Sequence, residues 1–187
     1  MNDKSWSKSL SSDEQVSKIF EWRRGFNIIY LISLGMDLGL FKFLRKAPNS
    51  NPKEISESLS LHIPYVEVWC KTAFAARILE TDNCVEYRLA EHFDKILADE
   101  KDPSFLGGYI KLGTDFAAKD FEFSTTAFRD GSTVPFQNRS NHFADTVGSA
   151  ISGLHVLTTH KLLPSLPGMK QKLKTDSNIL DIGCGTG

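Results

Sequence analysis

The sequence predicts a mainly α chain that ends in the first strand of an α/β domain. Three observations predict it. Cap signals and helically spaced apolar residues recur from Ser12 to Leu163. Two short extended segments, 78–81 and 85–89, flank the turn signal Asp82-Asn83 after three helical segments. That order, helices followed by a two-stranded ribbon, is a winged-helix arrangement. The final stretch, Asn178-Ile179-Leu180-Asp181-Ile182-Gly183-Cys184-Gly185-Thr186-Gly187, reads as a short buried strand running into a glycine-rich turn.

In chain order, Ser12-Asp13-Glu14-Gln15 has the form of a capping box and starts the first helix. From Phe26 to Leu44 apolar residues nearly encircle the segment, so it must be buried on all sides, by this domain's core or by a second subunit. Asn51-Pro52 is an N-cap followed by proline at the first helical position, opening a short helix over 53–59. Pro64 opens another helix, to about Leu79. Short helices are expected over 91–98 and from Asp102-Pro103 onward, the latter continuing its apolar pattern through Phe116, Phe121, Phe123 and Phe128. These four phenylalanines are candidates for a substrate pocket or, more simply, for core. Asp130-Gly131 breaks the pattern. A long helix is expected from Asn141 to Leu163, ended by Pro164, and a lysine-rich connector leads to the final strand.

Composition narrows the function classes. The 187 residues carry a net charge of −1, with 41% hydrophobic and 24% charged residues, as in a soluble globular protein. The balance favours neither nucleic acid nor an anionic membrane as partner. Lys71 and Arg77 are matched by Glu67 and Glu80 on the second ribbon-proximal helix, and Arg88 by Asp82 and Glu86 on the ribbon. A DNA-reading winged helix needs unmatched cations there. The longest uncharged stretch, Gly25 to Met36, is too short to span a bilayer, and the polar N-terminus is no signal peptide. Three widely spaced cysteines suggest no disulfide framework or zinc site, and a reducing, cytoplasmic setting.

The string from Ile179 to Gly187, an acid two residues before Gly-x-Gly-x-Gly, closely resembles the first motif of class I S-adenosylmethionine-dependent methyltransferases. A dinucleotide fingerprint, Gly-x-Gly-x-x-Gly, fits less well, since it needs a glycine one position later and does not ask for the acid. The resemblance implies S-adenosyl-L-methionine as cofactor. It implies that Gly183, Cys184, Gly185 and Gly187 form the turn bordering it and that Asp181 helps hold its amino group. Leu34 to Leu44, Asn51 to Leu79, and Phe128-Arg129-Asp130-Gly131 with Val134-Pro135-Phe136 resemble, in that order, stretches of small-molecule O-methyltransferases with a winged-helix dimerisation domain.

The resemblance divides the chain into a winged-helix dimerisation domain (13–98), a helical, substrate-covering linker (99–170) and the start of a truncated Rossmann-like cofactor domain (171–187). It implies methyl transfer to a small molecule, at oxygen, with a homodimer formed through the N-terminal helices and with no nucleic-acid or membrane partner. The family's catalytic histidine follows the cofactor motif, so none of His62, His92, His142, His155 and His160 takes that role. The 187 residues alone are then not expected to be active. Two rivals remain: a winged-helix DNA-binding regulator, and a non-catalytic dimerisation module.

Overall fold

A computed structural model describes residues 9–175 together with Asn178, Leu180 and Ile182. Helix α1 spans Ser12–Asp37. Its N-cap is Ser11 rather than Ser12: the Ser11 hydroxyl accepts from the Glu14 amide while Glu14 Oε2 accepts from the Ser11 amide at 2.7 Å. Both registers of a capping box are present in the sequence. The one ending in a carboxylate wins over the one ending in Gln15 because a charged acceptor makes the stronger bond.

The expected apolar helix over 26–44 is broken. After α1 the chain turns through Gly39, whose φ of 74° is left-handed, and α2 (Leu40–Lys46) leaves at 67° to α1. Without a Cβ, glycine makes this bend at little cost. The bend lets Leu40, Phe41 and Leu44 point into the core beside Ile32. No single described helix is long and apolar enough to cross a membrane.

Helix α3 (Pro52–Leu59) starts at the predicted Asn51 cap, with a reciprocal box to Glu54. Helix α4 (Ile63–Ala75) carries Val66, Trp69, Cys70 and Ala73 inward. Trp69 packs edge-on to Phe41 and donates its indole N–H to the Leu31 carbonyl at 3.1 Å, so one ring fastens α4 to both α1 and α2. Burial pushes the Cys70 thiol up to about 12, which leaves it a small inert core residue.

Strands β1 (Leu79–Glu80) and β2 (Arg88–Leu89) pair antiparallel, with a further bridge from Tyr87 back to Ser50. They are shorter than expected. The Asn83 side chain and the Thr81 hydroxyl take the amide bonds of residues 83–86, drawing the chain into a local loop instead of a ladder. Helix α5 (Phe93–Ala98) closes this first region, supplying Leu97 and Ala98 to the core.

Beyond it the helices fragment. Asp102-Pro103 does not start a helix, because the Asp102 carboxylate takes the Ser104 amide and hydroxyl and makes a turn. Helix α6 (Gly107–Lys111) runs instead into a widened π turn, Leu112–Ala117, and then α7 (Ala118–Asp130), stopped as expected at left-handed Gly131.

The long helix expected over 141–163 is three pieces. They are α8 (Asn141–Ala150), α9 (Ser152–Leu157) and, after a second π turn at Thr158–Leu162, α10 (Leu163–Ser165). Pro164 has no amide proton to return to the preceding turn, and the backbone widens ahead of it instead of stopping there. Helix α11 (Met169–Lys172) lies in the connector.

Helices α6 and α8 cross closely. A Cβ on Gly108 would stand 2.3 Å from the Ser149 carbonyl carbon, and one on Gly153 would stand 2.3 Å from the Pro103 oxygen. These two positions have to be glycine for the backbones to meet.

Candidate functional site

The residues expected to hold a cofactor, Asp181, Gly183, Cys184, Gly185 and Gly187, lie outside the described residues. Two of their neighbours are described. Leu180 and Ile182 are 84% and 87% exposed, so the expected buried strand is not formed at these positions. The physical reason is pairing: among the described residues the sheet has two strands, β1 and β2, each paired to the other. A strand has neither hydrogen bonds nor burial without a neighbour.

The described residues contain one polar cluster set into apolar packing, where α1, α6 with its π turn, and α8 meet. Lys111 is its centre. Its ammonium lies 2.9 Å from the Asp37 carboxylate on α1 and 2.9 Å from that of Asp115, one turn along its own segment. It also donates to the Ser33 hydroxyl at 3.3 Å, and Ser33 Oγ and Thr114 Oγ1 are 2.9 Å apart.

Partial burial works to lower the Lys111 pKa, but hydrogen bonds and charge from Asp37 and Asp115 outweigh it and leave it raised. The ammonium is therefore fixed as a cation. It serves as a tie between three segments and is no candidate base. His142 on α8 approaches Asp115 at 3.8 Å, and its ring lies tilted against Phe116. Of this cluster, the sequence reading contained only His142, as a histidine without a role. The Lys111/Asp115 spacing of four was its one readable signal. Among the described residues no group of three or more His, Cys, Asp or Glu side chains is gathered to hold a metal ion.

The four phenylalanines do not converge. Phe116 packs edge-on to Phe143, whose face is covered by the Arg139 guanidinium at 4.9 Å. Arg139 in turn grips Asp120 with two bonds of 2.8 Å, tying α7 to the segment before α8. Phe121 and Phe128 are 76% and 94% exposed, contrary to a core role. They share one face of α7 seven residues apart, and that face is turned to solvent.

On the ribbon, Arg88 is held by Asp82 at 2.7 Å and by Glu80 at 3.3 Å. The guanidinium holds the Asp82 carboxyl below its ordinary range. A cation committed to two carboxylates offers little to a phosphate backbone.

By sequence, no protein family and no curated protein matches. By structure, the chain is similar to several solved methyltransferases. Human N-acetylserotonin methyltransferase in complex with SAM matches with a TM-score of 0.65 and 16% identity, over 86% of this chain and 51% of that one. PigF with SAH matches with a TM-score of 0.63 and 16% identity, over 86% of this chain and 50% of that one. An O-methyltransferase family protein from Burkholderia thailandensis matches with a TM-score of 0.62 and 13% identity, over 85% and 47%. The likeness is one of fold, that of methyltransferase N-terminal regions. The chain spans about half the length of these structures.

Proposed function

We propose that these residues form the N-terminal part of an S-adenosylmethionine-dependent methyltransferase that acts on a small molecule, at oxygen. One observation carries the reading. A fold like that of SAM- and SAH-bound methyltransferases leads, in the same chain, into the string Asp181-Ile182-Gly183-Cys184-Gly185-Thr186-Gly187.

In this reading residues 13–98, with their helices and ribbon, are the winged-helix dimerisation domain. Residues 99–170 cover the acceptor, and 171–187 begin a Rossmann-like cofactor domain in a cytoplasmic enzyme. The alternating glycines let the backbone lie against the methionine portion of the cofactor. The Asp181 carboxylate accepts hydrogen bonds from its amino group, favouring the charged ammonium. Bound there, the cofactor would supply an electrophilic methyl on a sulfonium for transfer to an acceptor oxygen. This chain's part in that reaction is positioning. The ribbon's one cation, Arg88, is committed to Asp82 and Glu80, which speaks against a DNA-binding reading.

The test is calorimetric titration of S-adenosylhomocysteine into this chain and into a longer form that completes the cofactor domain. Binding to the longer form, lost on Asp181→Ala, is the expected result. A folded longer form that binds nothing refutes the proposal.

A further inference from the structure

A cavity of about 170 Å³ lies beside the Lys111 tie, where the end of α1 meets α2, α5 and the turn before α6. Its inner wall is apolar. Phe41, Leu97 and Phe105 line it and are nearly removed from water, with Met36 beside them. Phe105 and Met36 reach this wall because Gly107 has no Cβ: one added there would meet the Phe105 ring and the Met36 methyl group. A dry cavity of roughly 150 Å³ admits a benzene ring, so this one has room for a single aromatic ring and little more.

The rest of the lining is charged. Lys42 pairs with Glu100 at 2.7 Å and Lys111 with Asp37 at 2.9 Å, and all four side chains line the cavity. Lys111 is also shared with Asp115 at 2.9 Å. Two ammonium groups thus meet three carboxylates, one positive charge short of balance. The two lysines are held differently. Lys111 is bonded to both of its carboxylates and to the Ser33 hydroxyl. Lys42 and Glu100 are 61% and 63% exposed, a solvated pair that contributes little to stability. Another cation therefore displaces Lys42 from Glu100 at small cost.

The chemistry of an occupant follows from these two halves. An apolar group of benzene's size gains by leaving water for the inner wall. A cationic head brings the charge to balance and takes Lys42's place on Glu100, one charge-assisted bond for another. Asp37 keeps acceptor sites beyond those Lys111 uses. A carboxylate head would face the surplus of negative charge, and a hydroxyl head would leave that surplus unmet.

We propose that this cavity binds a small primary amine, an ammonium on a short arm from one apolar ring, with the ring against Phe41, Leu97 and Phe105 and the ammonium between Glu100 and Asp37. The site uses none of the residues expected to hold a cofactor and does not rest on the methyltransferase reading.

Titration of phenethylammonium chloride into the isotope-labelled chain, followed by amide chemical shifts, tests it. Shifts that saturate below about 10 mM are expected, centred on residues 36–42, 97–105 and 111. At matched ionic strength phenethyl alcohol binds more weakly, and hydrocinnamate more weakly still. Two exposed substitutions move the affinity in opposite directions. Glu100→Gln weakens amine binding about two- to fivefold and leaves the alcohol unchanged. Lys42→Gln removes the competing cation and strengthens amine binding by about the same factor. Both substitutions break the same ion pair, so a purely structural role would move the two alike. Shifts that never saturate overturn the proposal. So does an alcohol that binds as tightly as the amine, or a Lys42→Gln variant that binds the amine more weakly.

Discussion

Residues 40–98 and residues 99–175 are held together by different means. In the first region Leu40, Phe41, Leu44, Ile55, Cys70, Ala73 and Leu79 are all but removed from water and join one apolar cluster. In the second, neither π turn and none of α7, α9, α10 and α11 contains a buried residue. Apart from Phe105 and Ile110, which are buried, cohesion there comes from backbone approach at Gly108 and Gly153, from the Lys111 tie, and from the Arg139–Asp120 clamp. The first kind of cohesion is non-directional and tolerant of reshuffling among apolar groups. The second depends on particular atoms meeting, so single substitutions act through geometry and charge.

The contrast can be broken at its strong end first. Phe41→Ala removes a fully buried ring that touches Trp69, and it destabilises the chain by about 3–5 kcal/mol in urea unfolding. Leu40→Met, volume-conserving at an equally buried site, costs less than about 1.5 kcal/mol, which is the tolerance expected of an apolar cluster. Gly108→Val drives a side chain into the α8 backbone. It lowers stability by about 1–3 kcal/mol and raises amide exchange in α6 and α8 before it does so in α4. Equal loosening everywhere would show the two regions to be one cooperative unit.

Lys111→Met is smaller and depends on pH. The folded-state pKa of Lys111 is raised, so its stabilisation is fully present below the unfolded value of about 10.4 and is lost as pH rises through the folded value. The unsubstituted chain therefore loses stability in that alkaline window, and the variant loses less there. Arg139→Lys, which gives up a two-bond grip at a partly exposed site, has the smallest effect, a shift of the urea midpoint smaller than that of Lys111→Met.

The same division decided what could be read from sequence. In the first region structure follows from short-range signals. The Asn51-Pro52 cap, the inward stripe of Val66, Trp69 and Ala73, and the turn at Asp82-Asn83 all lie where their residue types place them. What escaped was Gly39, because nothing local distinguishes a bend that buries Leu40 and Phe41 from a straight apolar helix. In the second region the helix expected from Asp102 starts only at Gly107, and the helical patterns from there and from Asn141 are interrupted by contacts with distant partners. The turn at Asp102 is a competition between side chain and backbone. The π turn at 112–117 brings Thr114 and Asp115 to Ser33 and Lys111. The cluster of Asp37, Lys111, Asp115 and His142 draws on three segments, so no window of sequence contains it. The glycine string expected to hold a cofactor is the reverse case, an expectation from residues alone whose Asp181 and glycines lie outside the described residues.

The π turn at Leu112–Ala117 has a genetic side. A π turn is an α-helix that has taken in one extra residue, and each residue turns a helix by about 100°. Gly113 sits in it with open space where a Cβ would be. Removing that one codon would let α6 and α7 run as a single regular helix. The wider turn has already absorbed the rotation of its extra residue, so Phe121 and Phe128 would keep their facing while Thr114 and Asp115 lost their places. The π turn thus lets the polar tie at Ser33 and Lys111 be gained or lost by an in-frame deletion that leaves the facing of α7 as it was.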